Sequence, residues 1–372
     1  MTTDTLRQYF EHYDQLLLQH QHYWQFNPFA TRQWPWPNSA EQIQQQLHHQ
    51  LSQLPNPLQP MVTDKTVRLA RPFWLSNGIT GRKLAQIDGF LASFTSQNPV
   101  VEWCAGKGHL GRLLSFQREL PVTSLEWQAN LCAQGQALAE RFKLSQRFNQ
   151  VNVMQLAPAS LPTDSAVVAL HACGDLHRRL LEQVTQSGCC ELFVAPCCYH
   201  LQATEDYQPL SAIAGQSLLR LSKADLKLAV QQFITAGQRT QRLRNIEQLW
   251  RLVFELYRTE VTGCDHYQPL PSLAKQQFSG ELKDFISWAC AQQRIPQPQS
   301  RQLPTFVEQA KQRLLLVRAL DQIRQLFRQP LEYWLLLDRA LFLQQCGYQV
   351  RLQQFCEVSD SPRNTLIIAR RH

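Results

Sequence analysis

The stretch Val100-Val-Glu-Trp-Cys-Ala-Gly-Lys-Gly-His-Leu-Gly-Arg-Leu-Leu114 decides the fold. It opens with a short apolar run ending near an acid, turns through glycines, and continues with leucines at helical spacing. That is strand, tight loop, helix. Gly106 and Gly108 supply backbone angles closed to other residues and let a ligand touch the main chain. The free N–H groups at the helix start then face a nucleotide-like ligand.

Two ligand classes use this construction. Gly106-x-Gly108-x-x-Gly111 satisfies the dinucleotide pattern, with Glu126 ending the next apolar run where a ribose-binding acid belongs. Glu102, four residues before Gly106, argues against a pyrophosphate there and suits the cationic methionyl part of S-adenosylmethionine. The methyl donor is the favoured reading, and an NAD-dependent oxidoreductase is the alternative.

Downstream, apolar runs near 122–126, 149–153, 166–171 and 191–196 alternate with helical segments. This rhythm predicts an α/β fold with a parallel, doubly wound sheet and ligands at the carboxyl ends of strands. Two polar clusters stand at such ends, His171-Ala-Cys-Gly-Asp175 and Pro196-Cys-Cys-Tyr-His200. At the end of the chain, a helical run over 331–345 precedes strand-like Tyr348–Leu352 and Thr365–Ala369. A hairpin-like pair closing a parallel sheet belongs to the methyltransferase fold and not to a plain dinucleotide domain.

The chain has 372 residues, 18% of them charged, with a net charge of +8. Residues 211–330 hold 17 Lys and Arg against 9 Asp and Glu, so this region carries the whole excess. It reads as a basic helical insertion able to meet a polyanion. The expected organisation is a helical N-terminal cap over 1–60, a cofactor-binding core over 61–204, the insertion over 205–328, and a C-terminal helix and strand pair over 329–372. No early segment resembles a signal peptide or a membrane span, so a cytoplasmic protein without membrane contact is expected. The eleven cysteines are expected to be thiols. Cys189, Cys190, Cys197, Cys198 and His200 lack finger spacing, so they are read as structural, with no metal.

The loop Glu102–Leu110, Leu170-His-Ala-Cys-Gly-Asp175, Pro196-Cys-Cys-Tyr-His200, Leu337-Asp-Arg339 and Ser361-Pro-Arg-Asn364 together resemble a methyltransferase-domain family. That family includes the methyltransferase-like and rRNA-adenine-dimethylase-domain-containing proteins. The second and third motifs are also similar to those of tRNA ribose-methylating enzymes. The resemblance implies a Rossmann-like class I methyltransferase using S-adenosyl-L-methionine. Glu126 would hold the ribose hydroxyls, the N–H groups near Gly106 and Gly108 the methionyl carboxylate, and Asn152 would flank the adenine. His171, Asp175 and His200 are the candidates for acceptor contact or general base. Cys104 departs from the family by standing where such loops carry their first glycine, and Tyr199-His200 replaces paired histidines. RNA is the expected acceptor. A protein side chain or small molecule is the alternative acceptor, and a non-catalytic RNA-binding protein the competing class.

Overall fold

The computed structural model describes residues 3–62, 71–231 and 238–371. Among the described residues seven strands form one sheet: β1 (Val100–Trp103), β2 (Val122–Glu126), β3 (Gln146–Gln150), β4 (Ala166–Cys173), β5 (Glu191–Cys197), β6 (Tyr348–Gln354) and β7 (Thr365–Arg371). Their order is β3-β2-β1-β4-β5-β7-β6, with β7 antiparallel between β5 and β6. The expected closing pair is thus present, and the Rossmann-like class I methyltransferase topology with it. The order reverses between β1 and β4, which opens a crevice at the carboxyl ends of those two strands.

Burial explains why the inner strands read so plainly. Every residue of β1 is buried, and β5 is buried beyond its first residue. A strand covered on both faces needs an unbroken apolar run. The third strand lies at 146–150 instead of the expected 149–153. Paired only with β2, it is an edge strand whose burial is slight beyond Gln146, so nothing requires apolar residues along it. The apolar Val153 belongs to the turn that follows, where it is buried.

The helices used below are α1 (Thr3–Gln19), α2 (Gly81–Ser93), α3 (His109–Arg118), α4 (Ala129–Arg141), α5 (Asp175–Ser187), α6 (Lys223–Val230), α7 (Gln238–Thr262), α8 (Leu282–Gln293), α9 (Leu303–Gln325) and α10 (Arg328–Gln345). Leu113 and Leu114 of α3 and Ile87, Phe90 and Phe94 from the α2 region pack with Val168, Phe193 and Phe355 in one core. Removing such side chains from water is the main term stabilising this layer, about 25 cal/mol per Å² of apolar surface.

The chain forms two compact units. One contains residues 1–19, 54–232 and 328–372, and holds the sheet; the other contains residues 20–53 and 233–327. Residues 63–70 and 232–237 of the expected segments lie outside the described residues. The segments 1–60 and 205–328 are each shared between the two units. In the second unit, Leu252, Phe254 and Tyr257 of α7 pack with Phe285 of α8 and with Phe306 and Val317 of α9.

Several of the cations counted in this region are held within the second unit. Arg251 bonds Glu247, Arg258 bonds Glu255 in a buried pair, and Lys283 and Lys311 meet Glu281 and Glu308. Arg313 donates to the carbonyls of Phe29 and Thr31, and Arg324 to that of Trp24. No helix among the described residues is long and apolar enough to cross a membrane.

Candidate active site at the carboxyl ends of the strands

A cavity of about 430 Å³ is lined by Cys104, Leu125, Glu126, Trp127, Gln128, Val151, Asn152, Val153 and Leu176. It lies beyond β1 and β2, as the topology requires. Glu126 is its organising acid. One carboxylate oxygen accepts the N–H groups of Trp127 and Gln128, each at 3.0 Å, and the other accepts Gly106 N–H at 2.9 Å. A carboxylate offers about four acceptor positions, so one remains on Oε2 for a ligand hydroxyl. Asn152 accepts Met154 N–H through Oδ1 at 3.1 Å, which keeps its amide group at the cavity wall.

The glycine loop fits a ligand on an observable ground. Gly106 has φ +59°, and a Cβ there would stand in open space. Its lack of a side chain therefore serves the backbone angle and the access of a ligand, not protein packing. Cys104 takes φ 54° in the same loop, so the residue replacing the expected glycine adopts the conformation a glycine would. A non-glycine residue held there costs roughly 1–2 kcal/mol.

Glu102 faces inward and does not line the cavity. Its Oε2 accepts the Ser124 hydroxyl at 2.7 Å, and the Gly111 N–H also bonds it. Burial pushes its carboxyl up to about 7, against the opposing pull of these bonds and of Lys83 and Arg112.

The segments where β4 and β5 end, which carry the candidate catalytic residues, are stitched together. Gly174 N–H donates to Cys197 C=O at 3.1 Å, Asp175 N–H to Leu201 C=O at 3.0 Å, and Leu201 N–H to Cys198 C=O at 2.8 Å. Asp175 adds a side-chain tie by accepting Ala203 N–H at 2.7 Å. The structure therefore gives this carboxylate a loop-holding role.

His171 is placed differently. The β4–β5 register shifts between Leu170 and Ala172, and His171, at φ 69°, is the extra residue of that bulge. Bulges re-aim side chains. Gln86 donates through Nε2 to Asp360 C=O at 2.9 Å, which leaves its Oε1 to accept from His171 Nε2 at 2.7 Å. The proton therefore sits on Nε2. Nδ1 keeps its lone pair, buried and without a partner. Burial, with Lys83 and Arg363 adding positive charge, lowers this imidazole to about 4, so it is neutral at pH 7. His200 Nδ1 is likewise buried without a partner, and burial lowers that imidazole too, with Lys227 and Arg363 contributing.

Sequence reasoning missed His177, Tyr207 and the roles of Asp338 and Arg339. Arg339 donates to His177 Nε2 at 2.9 and 2.7 Å and to Tyr207 Oη at 3.1 Å, and its guanidinium lies 4.7 Å from the Tyr199 ring centre. His177 Nε2 is thus an acceptor and Nδ1–H donates to Ala172 C=O at 3.2 Å. Asp338 accepts the Tyr207 hydroxyl at 2.6 Å and the Ser211 hydroxyl and N–H at 2.7 Å each. This network reaches Ala172 and Tyr199, which neighbour His171 and His200 in the chain. Its only signal in the sequence is the pair Asp338-Arg339 within the apolar run of α10.

Residues 82–205 match the family model described as a methyltransferase domain. Among solved structures, a SAM-dependent methyltransferase from Aquifex aeolicus is 14% identical, over 34% of this chain and 72% of its own, with a TM-score of 0.27. A TehB-like SAM-dependent methyltransferase from Corynebacterium glutamicum is 13% identical over 30% and 60%, TM-score 0.24. Coclaurine N-methyltransferase bound to N-methylheliamine and SAH is 16% identical over 52% and 58%, TM-score 0.28. The chain spans less than two thirds of the latter two proteins. At these scores the likenesses add nothing to what the strand order states. Residues 82–205 match a methyltransferase domain, and the strand order is that of the Rossmann-like class I methyltransferase fold. The dinucleotide alternative leaves the antiparallel β7 without a role.

Proposed function

We propose that this protein is a cytoplasmic enzyme that transfers a methyl group from S-adenosylmethionine to RNA. The cofactor would lie in the 430 Å³ cavity, a size ordinary for such a ligand, with its ribose at Glu126 and its adenine by Asn152. Methyl transfer from a sulfonium is an in-line displacement, so the protein has to align the acceptor and take its proton. His171 is the base: its tautomer is fixed by Gln86 and its Nδ1 lone pair is unpaired.

The observation that carries the choice of acceptor is the positive charge around the two imidazoles whose Nδ1 atoms lack a partner. Lys83 and Arg363 bear on His171, and Lys227 and Arg363 on His200. Three cations at one strand end suit a phosphate-bearing acceptor. The resemblance of the His171 and Pro196–His200 motifs to tRNA ribose-methylating enzymes supports the same reading.

The test is incubation of the purified protein with methyl-labelled cofactor and total cellular RNA, protein or small-molecule fractions. Label should enter RNA, RNA affinity should fall as salt rises, and Lys227→Gln should weaken binding. Label entering only protein or small molecules would refute RNA as the acceptor.

A further inference from the structure

Where β4 and β5 end side by side, Cys173 and Cys197 are register partners and their sulfurs are 3.2 Å apart. Cys198 follows Cys197 directly, and consecutive residues of a strand point to opposite faces. Cys198 instead has φ 49°, and this left-handed angle returns its sulfur to the same side. The three Sγ atoms consequently lie within 4.8 Å of one another. Among the described residues, three of the seven non-glycine residues with positive φ, Cys104, His171 and Cys198, gather at this end of the sheet. Strain concentrated in this way marks sites held for a purpose.

We propose that Cys173, Cys197 and Cys198 bind one zinc ion as thiolates, with His200 Nδ1 as the fourth ligand. Tetrahedral zinc with sulfur at ~2.3 Å places its thiolates about 3.8 Å apart. The three sulfurs already span that range. His200 is two residues beyond Cys198 and its Nδ1 is buried without a partner; it stands outside the group of three sulfurs, so its ring has to turn toward them to complete the set. Soft thiolates select zinc over magnesium, calcium or manganese. Each thiol gives up its proton on binding, so three thiolates and a dication leave one negative charge. Lys83 and Arg363, which bear on these sulfurs, stand ready to offset it.

Cys189 and Cys190 take no part. They precede β5 at its other end, where Cys190 donates to Thr163 C=O. A closed set of three sulfurs and one nitrogen leaves no open position, so the ion would tie the His171 loop to the His200 loop and leave the cofactor's chemistry alone. The proposal stands apart from the choice of acceptor, because metal binding is read without methyl transfer.

The experiment is titration of the reduced, full-length protein with Co²⁺, followed by competition with Zn²⁺. One equivalent of Co²⁺ should give thiolate-to-cobalt charge-transfer absorption and the strong visible bands of a tetrahedral site, and Zn²⁺ should abolish both. Cys173→Ser and Cys198→Ser should each weaken binding about tenfold or more and reduce the charge-transfer intensity, while Cys190→Ser leaves both unchanged. His200→Gln should retain the sulfur bands and shift the visible ones. No charge-transfer band at one equivalent, or equal loss in Cys190→Ser, would overturn the site. Unshifted visible bands in His200→Gln would overturn its place as a ligand.

Discussion

Gly174 and Leu201 meet backbone to backbone: a Cβ on Gly174 would lie 1.7 Å from the Leu201 carbonyl oxygen, the atom that accepts Asp175 N–H. The turn after β4 and the loop after β5, which carries His200, are thereby fixed to each other. Gly174 also has φ +54°. Gly174→Ala should therefore destabilise the protein by about 2 kcal/mol or more, from strain and steric clash together. Gly215→Ala, where a Cβ meets nothing within 4 Å, is the control and should change stability by less than about 0.5 kcal/mol. Urea unfolding of both variants decides it, and equal midpoints would show that the two loops are not held this way.

Glu126→Gln should cost the cofactor its anchor. The amide nitrogen must face one of the three N–H donors that the carboxylate now accepts. We expect S-adenosylhomocysteine affinity to fall at least tenfold, about 1.4 kcal/mol, in calorimetric titration. Unchanged affinity would place the ribose elsewhere.

His171→Gln and Gln86→Leu separate chemistry from cofactor binding. Neither residue lines the cavity, so homocysteine-compound affinity should persist. Loss of a positioned base lowers kcat by roughly 10²–10⁴. Gln86→Leu should give a smaller loss, because it frees the tautomer that Gln86 Oε1 fixes at 2.7 Å. Single-turnover rates with saturating cofactor make the comparison, and full rates in His171→Gln would remove it as the base.

How much of this was legible in the sequence follows from which forces are local. His171, Asp175 and His200 stand out because polar groups end apolar strands, and strand ends are where this topology binds ligands; the cysteines beside them read only as structural thiols. Glu126 is legible for the same reason. The inward turn of Glu102 is not, since the sequence places an acid after Val101 without saying that Ser124 and Gly111 will bond it. Edge strand β3 escapes an apolar pattern because little of it is covered. Arg339 meets His177 across 162 residues, and Arg313 meets Phe29 across 284. Pairings of that range leave no local trace.

Glu102 makes stability depend on pH in a stated direction. Its carboxyl is raised from 4.5 to about 7 by burial, so the folded protein binds this proton more tightly than the unfolded chain. The associated stability is fully present below pH 4.5 and is lost as pH rises through 7. Glu102→Gln carries no such proton, so its stability relative to the native protein should rise between those limits, by up to roughly 3 kcal/mol. Glu332, also raised to about 7, contributes the same slope to both proteins and cancels in the difference. Urea midpoints for the pair from pH 4.5 to 8 give the answer, and a difference independent of pH would mean that Glu102 titrates as an ordinary exposed acid.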